Sequence, residues 1–416
     1  MDAAKPLDGV GVLVWGLGRH GGGLAAARLC RAEGARVTIL DAKPAEQCGE
    51  DGMSAQREGF TCLIGDASHP AFAQAELIVP SPAIPPRAWP AHHAPIASPE
   101  SLALARHRGR RVGVTGTKGK STTAMLTGAL LGWKVAGNSW RPLCEAVLED
   151  PLADLVCELS SFQLWYLRKT APRFDAAILT LLTCDHLDWH PDLQHYHAAK
   201  LDLLRWAGVV ACTPQAASLL PPGLRLLPPS PEPAAGDLLV PGPHNRANAA
   251  LALAVAKHFG ADPGTLAGRL RRAEPLPHRL RTVHSRSGIT FVDDSIATMP
   301  DAAMAALCSF EGPLAIILGG SDKGADFSAL AAAVAERGAQ PILIGQMAPR
   351  LHAALAHHAV EGRLATSMED AVRLAAATLP GHGTVLLSPA CASFDMFRGF
   401  DHRGVVFAAA AKSLFP

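Results

Sequence analysis

The string V-T-G-T-K-G-K-S-T-T (114–123) carries the residue types that hold a polyphosphate. Gly116 and Gly119 let the backbone fold round an anion. Successive N–H groups then point at its oxygens, and a helix starting there presents its positive end. Lys120 can reach the terminal phosphates, and the Ser121 hydroxyl can ligate Mg²⁺. The pattern departs from G-x-x-x-x-G-K-[ST], because Val114 stands where the first glycine belongs. On this string alone, a nucleotide loop and a glycine-rich turn between strand and helix both stay open.

A second glycine string, G-L-G-R-H-G (16–21), follows an apolar run, and Asp41 ends the next one. That is the arrangement of a dinucleotide or diphosphate fingerprint with its ribose acid. A tight strand-to-helix turn is the plain alternative. Two phosphate-type loops in one chain suggest two phosphorylated substrates rather than a simple dehydrogenase. In E-L-S-S-F-Q (158–163), Glu158 follows an apolar run, where it could hold Mg²⁺ or lie on the surface. T-C-D-H-L-D-W-H (183–190) and Y-H-A-A-K (196–200) gather His186, Lys200 and two aspartates into a cation site or a polar loop. Neither C-x-x-C nor H-E-x-x-H spacing supports zinc. Asn245 and Asn248 lie three residues apart at a helix start. They could read a purine edge, or Asn245 could cap the helix.

Such groups converge only if strand ends carry them. Strands are expected over 10–15, 36–40, 76–79, 112–114, 155–159 and 176–182, and later over 289–292, 314–318, 341–344 and 385–387. Helices are expected over 21–33, 122–131, 193–206 and 245–259. The alternation implies parallel sheets with covered faces. Proline-rich breaks at 80–99 and 219–233 and a linker at 274–278 interrupt it. A chain of 416 residues is too long for one ordinary core. The expectation is an α/β protein of three domains, 1–105, 106–276 and 277–416: a Rossmann-like N-terminal domain, a P-loop ATPase-like central domain and a Rossmann-like C-terminal domain.

Composition narrows the class. With 49% hydrophobic and 18% charged residues, this is a globular chain rather than a disordered one. A net charge of +1 excludes a broad basic surface for nucleic acid. Nine scattered cysteines without a C-x-x-C pair read as reduced thiols in the cytoplasm. The start M-D-A-A-K-P-L-D lacks a signal-peptide apolar region, and no apolar run is long enough for a membrane helix.

Taken in order, T-G-T-K-G-K-S-T, E-L-S-S-F-Q, D-H-L-D, Y-x-x-A-K, H-N-x-x-N, P-H-R (277–279), D-D-S-I-A-T, G-G-S-D-K-G-A-D-F (319–327) and S-P-A-C-A-S-F-D-M-F (388–397) resemble the Mur ligase family of ATP-dependent amide-forming enzymes. The resemblance spans essentially the whole chain, and the last two strings look like those of its glutamate-adding members. It implies ligation of D-glutamate to UDP-N-acetylmuramoyl-L-alanine by a cytoplasmic monomer, with ATP and two Mg²⁺ ions. Gly16, Leu17, Gly18, Arg19, His20, Gly21 and Asp41 would hold the uridine diphosphate end, helped by Asn138, Ser160 and Gln163. Gly116, Thr117, Lys118, Gly119, Lys120, Ser121 and Thr122 would cradle ATP, with Asn245 and Asn248 at the adenine and Arg279 and Asp294 completing its site. Ser121 and Glu158 would bind one Mg²⁺; His186 and a carbamylated Lys200 would bind the second. Thr298, Lys323, Ser393 and Phe400 would receive glutamate. Family members often carry Asn at the place of Leu181, Lys at that of Ile296 and Gly at that of Trp140. The Ile296 form makes L-glutamate the alternative acceptor. Another Mur or folylpolyglutamate-type ligase is the alternative enzyme.

Overall fold

The computed structural model describes residues 6–18, 21–91, 93–322 and 324–414. These fall into two compact units. The first is drawn from Met1–Glu232 and Ala247–Arg269, the second from Pro233–Arg246 and Leu270–Pro416.

The first unit holds two sheets. In one, β1 (Gly11–Trp15), β2 (Arg36–Asp41), β3 (Thr61–Ile64) and β4 (Leu77–Pro80) lie in the order β3-β2-β1-β4, all parallel. The chain moves outward from β1 to β3 and then returns to the other side of β1. The loops leaving β1 and β4 therefore meet at the point where strand order reverses, where ligands of such sheets bind. In the other, β5 (Arg111–Thr115), β6 (Lys134–Gly137), β7 (Leu155–Glu158), β8 (Phe174–Leu179) and β9 (Ala207–Cys212) take the order β6-β7-β5-β8-β9, again all parallel. Here β5 is central, so the loops leaving β7, β5 and β8 emerge side by side. Those loops carry the three strings that sequence singles out: 158–163, 116–121 and 180–192.

The second unit holds β10 (Arg281–Arg286), β11 (Ile289–Asp293), β12 (Leu314–Gly319), β13 (Gln340–Ile344), β14 (Arg363–Leu364) and β15 (Gly383–Leu387). Their order is β10-β11-β15-β12-β13-β14, with only β10 antiparallel to its neighbour.

Inner strands are apolar throughout because helices cover both faces. Every residue of β7 and of β12 is buried. The strands that pattern reading does not anticipate, β3, β6, β9, β10 and β14, are all edge strands. An edge strand is half solvated, so its apolar run shortens; β10 and β14 have no fully buried residue. The helix expected at 245–259 begins two residues earlier, as Pro243–His258, so Asn245 lies within its first turn rather than at its cap.

Candidate active site

The helix Lys120–Leu131 starts at Gly119, whose φ is 85°, and Gly116 has φ 148°; both are left-handed conformations that glycine allows. Space enforces the choice as well. A Cβ on Gly116 would lie 1.9 Å from Thr180 Oγ1, and one on Gly119 would lie 2.8 Å from Asn248 Oδ1. Asn248 thus packs directly against the turn. Thr180 Oγ1 donates to the Lys118 carbonyl at 2.5 Å, and Thr117 N–H donates to the Leu181 carbonyl at 2.6 Å. Lys118 itself is exposed, whereas Ser121 and Thr122 are buried at the helix start. Gly116→Ala is expected to lower the thermal midpoint, costing about 1–3 kcal/mol by overpacking. An unchanged melting curve would show that the loop has room.

Glu158 ends β7 with no exposed surface. Its Oε1 accepts from Asn138 Nδ2 at 2.9 Å and from Ser139 Oγ at 3.2 Å, while its Oε2 is buried without a hydrogen-bond partner. Ser139 also meets Ser121, Oγ to Oγ, at 3.3 Å. An orphaned buried carboxylate oxygen next to a hydroxyl is costly unless a cation completes it. The donor set, one carboxylate with hydroxyls, suits a hard ion such as Mg²⁺. Among the described residues, no group of three His, Cys, Asp or Glu side chains is gathered as a metal cage.

Lys200 lies on the helix Leu193–Arg205, 1% exposed, and its Nζ donates to the Gly116 carbonyl at 2.8 Å. Lys120 Nζ donates to the same carbonyl at 3.1 Å and to that of Thr117 at 3.1 Å. Burial, and then the Lys120 charge, hold the Lys200 ammonium well below the usual lysine range. His186 takes a left-handed φ of 55°, and burial pushes its imidazole below the ordinary histidine range. Its ring packs on Phe162, centroids 4.8 Å apart. Tyr196 reaches across from the same helix as Lys200 and donates to Thr117 Oγ1 at 3.0 Å.

The N-terminal glycine string is a tight turn. Gly16, Gly18 and Gly21 all have positive φ, and Leu17 N–H donates to Asp41 Oδ2 at 2.9 Å. Asp41 Oδ1 accepts from Lys43 N–H at 3.1 Å, so this carboxylate braces the turn. The glycine that lets the following helix approach is Gly23, where a Cβ would meet the Gly16 carbonyl oxygen at 2.5 Å. Arg19 and His20 lie outside the described residues. Beside the turn opens a cleft of about 530 Å³, onto which Gly18, Asn138, Ser160, Phe162, Gln163 and His186 all face. Ser160 and Gln163 form a reciprocal cap on the helix Ser161–Leu167. Gln163 Nε2 also donates at 2.8 Å to Glu100, a buried acid on the cleft wall that motif reading does not find.

In the second unit, Asn245 Nδ2 donates to the Pro241 carbonyl at 2.6 Å. Asp294, pushed up to about 7 by burial, accepts from Ser388 Oγ at 2.8 Å and from Leu280 N–H at 3.2 Å. Arg279 Nε is buried without a partner. Thr298 follows β11, Ser393 is buried in the turn after β15, and Phe400 opens the helix Phe400–Leu414. Lys323 lies outside the described residues. Arg403, which no motif flags, is 1% exposed and donates to Ser295 Oγ and O at 2.9 Å each and to the Cys391 carbonyl at 3.1 Å. It binds the loop after β15 to the segment after β11.

Residues 114–211 match the middle domain of Mur ligases, and residues 278–391 match the Mur ligase glutamate ligase domain. The UDP-N-acetylmuramoylalanine–D-glutamate ligase of Nitratidesulfovibrio vulgaris is 36% identical, covering 97% of this chain and 96% of that protein. The chain belongs to the Mur ligase family. Likeness extends to another branch: the UDP-N-acetylmuramoyl-L-alanine–L-glutamate ligase of Salinispora tropica is 35% identical to this Mur ligase, with 98% of each chain covered. In fold, this Mur ligase is similar to the UDP-N-acetylmuramate–alanine ligase MurC of Thermotoga maritima, with a TM-score of 0.64, 16% identity, and 97% and 100% of the two chains covered. No helix among its described residues is long and apolar enough to cross a membrane.

Proposed function

We propose that this Mur ligase joins D-glutamate to UDP-N-acetylmuramoyl-L-alanine at the cost of ATP, in peptidoglycan precursor synthesis. The observation that carries the reading is the overlap of 97% of the chain with a D-glutamate ligase at 36% identity. The alanyl carboxylate attacks the γ-phosphorus of ATP, giving an acyl phosphate and ADP. The amine of glutamate then attacks the acyl carbon; the C–O bond to phosphate breaks, the amine loses a proton, and inorganic phosphate leaves.

The phosphate loop, residues 116–122, cradles the nucleotide phosphates, and Lys120 turns from its carbonyl partners to the γ-phosphate as charge develops there. Asn245 and Asn248 serve the adenine, with Arg279 and Asp294. Ser121 and Glu158 would hold one Mg²⁺, and His186 with carbamylated Lys200 a second, which when bound would supply positive charge at the phosphoryl oxygens. The orphaned Glu158 Oε2 supports the first position. The depressed ammonium of Lys200 supports the second, because CO₂ attacks only the neutral amine. The sugar nucleotide lies along the cleft at Gly18, Asn138, Ser160 and Gln163, beyond the turn of Gly16, Leu17, Gly21 and Asp41. Thr298, Lys323, Ser393 and Phe400 receive glutamate. Three functional domains, 1–105, 106–276 and 277–416, are supported by the three separate sheets. A cytoplasmic monomer completes the reading.

L-Glutamate is the second reading, favoured by the Salinispora tropica relative at 35% identity. Phosphate release with UDP-N-acetylmuramoyl-L-alanine, Mg·ATP and either enantiomer separates the two. Release with D-glutamate alone is expected. Release with L-glutamate alone would change the acceptor, and release with neither would overturn the ligase reading.

A further inference from the structure

Four side chains near the cleft form a line whose proton positions the geometry dictates. Trp165 Nε1 lies 3.1 Å from His195 Nε2, His195 Nδ1 lies 2.8 Å from His190 Nδ1, and His190 Nε2 lies 2.9 Å from Ser161 Oγ. An indole N–H only donates. His195 Nε2 must therefore accept, which leaves the His195 proton on Nδ1. That proton is donated to His190 Nδ1, so the His190 proton sits on Nε2 and is donated to Ser161. A proton added to His195 Nε2 would face the indole N–H, and one added to His190 Nδ1 would face the donor of His195.

The line ties together three elements: the helix Ser161–Leu167, the loop 183–192 and the helix Leu193–Arg205. His190 also fixes His186. The N–H groups of His190 and Trp189 donate to the His186 carbonyl at 2.9 and 3.2 Å. Those bonds close the turn in which His186 holds its left-handed φ of 55°, a conformation costing of order 1 kcal/mol or more for a non-glycine residue. The His190 ring is wedged between Trp189 and Tyr196, centroids 4.6 and 5.3 Å away.

We propose that Trp165, His195 and His190 are positioning residues, a one-directional relay of neutral side chains that holds the His186 turn ready for its cation. The inference rests on the reading of His186 as a cation ligand. A geometry of this kind cannot be replaced by bulk alone, because the indole must donate and each imidazole must accept on one nitrogen and donate on the other.

The test has two parts. Long-range ¹⁵N–¹H spectra of the full-length histidine-labelled enzyme, with peaks assigned through His190→Gln and His195→Asn, should show His195 protonated on Nδ1 and His190 on Nε2. The reverse tautomers, or an imidazolium at either ring at neutral pH, would overturn the relay. The second part is turnover as a function of free Mg²⁺. Trp165→Phe keeps an aromatic ring but removes the donor that sets the direction, and His195→Leu removes both polar contacts. Each should raise the half-saturating Mg²⁺ concentration about 5-fold or more with the KM for the sugar nucleotide little changed. His195→Asn keeps a donor toward His190 and should recover most of that loss. Correct tautomers with unmoved Mg²⁺ dependence in both Trp165→Phe and His195→Leu would refute positioning. If His186→Ala also leaves the Mg²⁺ dependence unmoved, it is the ligand reading of His186 that fails.

Discussion

Lys120→Ala should leave a folded enzyme that turns over about 10³-fold more slowly or worse. The magnitude follows from removing a cation aimed at a transferring phosphoryl group. Fold and function separate cleanly at this residue. Its ammonium bonds to the carbonyls of Gly116 and Thr117, and the side chain is only half buried. Loss of those bonds should cost stability by less than about 1 kcal/mol, as for other partly solvated contacts. Neighbouring Lys200 reports on the same change from the other side. With one ammonium gone from the Gly116 carbonyl, burial still depresses Lys200, but the added repulsion from Lys120 is relieved. The check is kcat together with a melting curve. A variant that melts like the parent yet keeps more than a tenth of its turnover would remove Lys120 from the phosphate site.

The second large effect is expected at Lys200. Lys200→Ala should lose turnover about 10²-fold or more and regain at least about 10-fold of it with added formate or acetate, since a small carboxylate can supply the missing anionic oxygen. The structure favours this outcome over a generic packing loss for two reasons. Lys200 is buried, so its truncation leaves an enclosed space at the loop rather than an open surface. Its amine is pushed toward the neutral form, the only form that captures CO₂. Measured in CO₂-depleted buffer, the parent enzyme should slow, whereas the formate-rescued variant should not. A variant that never responds to carboxylates, alongside a parent indifferent to CO₂, would leave Lys200 as a buried amine with a structural role only.

The interior of all three sheets was legible because inner parallel strands are continuous apolar runs, such as L-A-I-I-L-G at β12. Edge strands such as R-L at β14 carry almost no such signal, and it is their neighbours that define them. The site divides the same way. Gly116, Lys120 and Glu158 sit in short contiguous strings, so spacing alone singles them out. Asp41 is marked by its place after an apolar run, whereas the amides its two oxygens accept from, those of Leu17 and Lys43, are not marked in the same way. Arg403, Glu100 and the Trp165–His195 contact leave no such mark because each acts across a long stretch of chain. Arg403 meets Ser295, 108 residues away, and Glu100 meets Gln163, 63 residues away. Nothing local marks such pairs.

The strand order of the second unit has a bearing on how the molecule comes into being. β15, the last strand of that sheet in the chain, lies between β11 and β12 and hydrogen-bonds to both. While the polypeptide is still being made, β11 and β12 lack the strand that joins them, and the sheet stays in two halves with their inner edges bare. In the first unit each sheet's last strand, β4 or β9, adds only at an outer edge, and β7, which joins β6 to β5, is made well before that unit ends. Synthesis therefore delivers a folded nucleotide-loop unit beside an unfinished partner, with bare edges of apolar strand open to mispairing until residues 383–387 arrive.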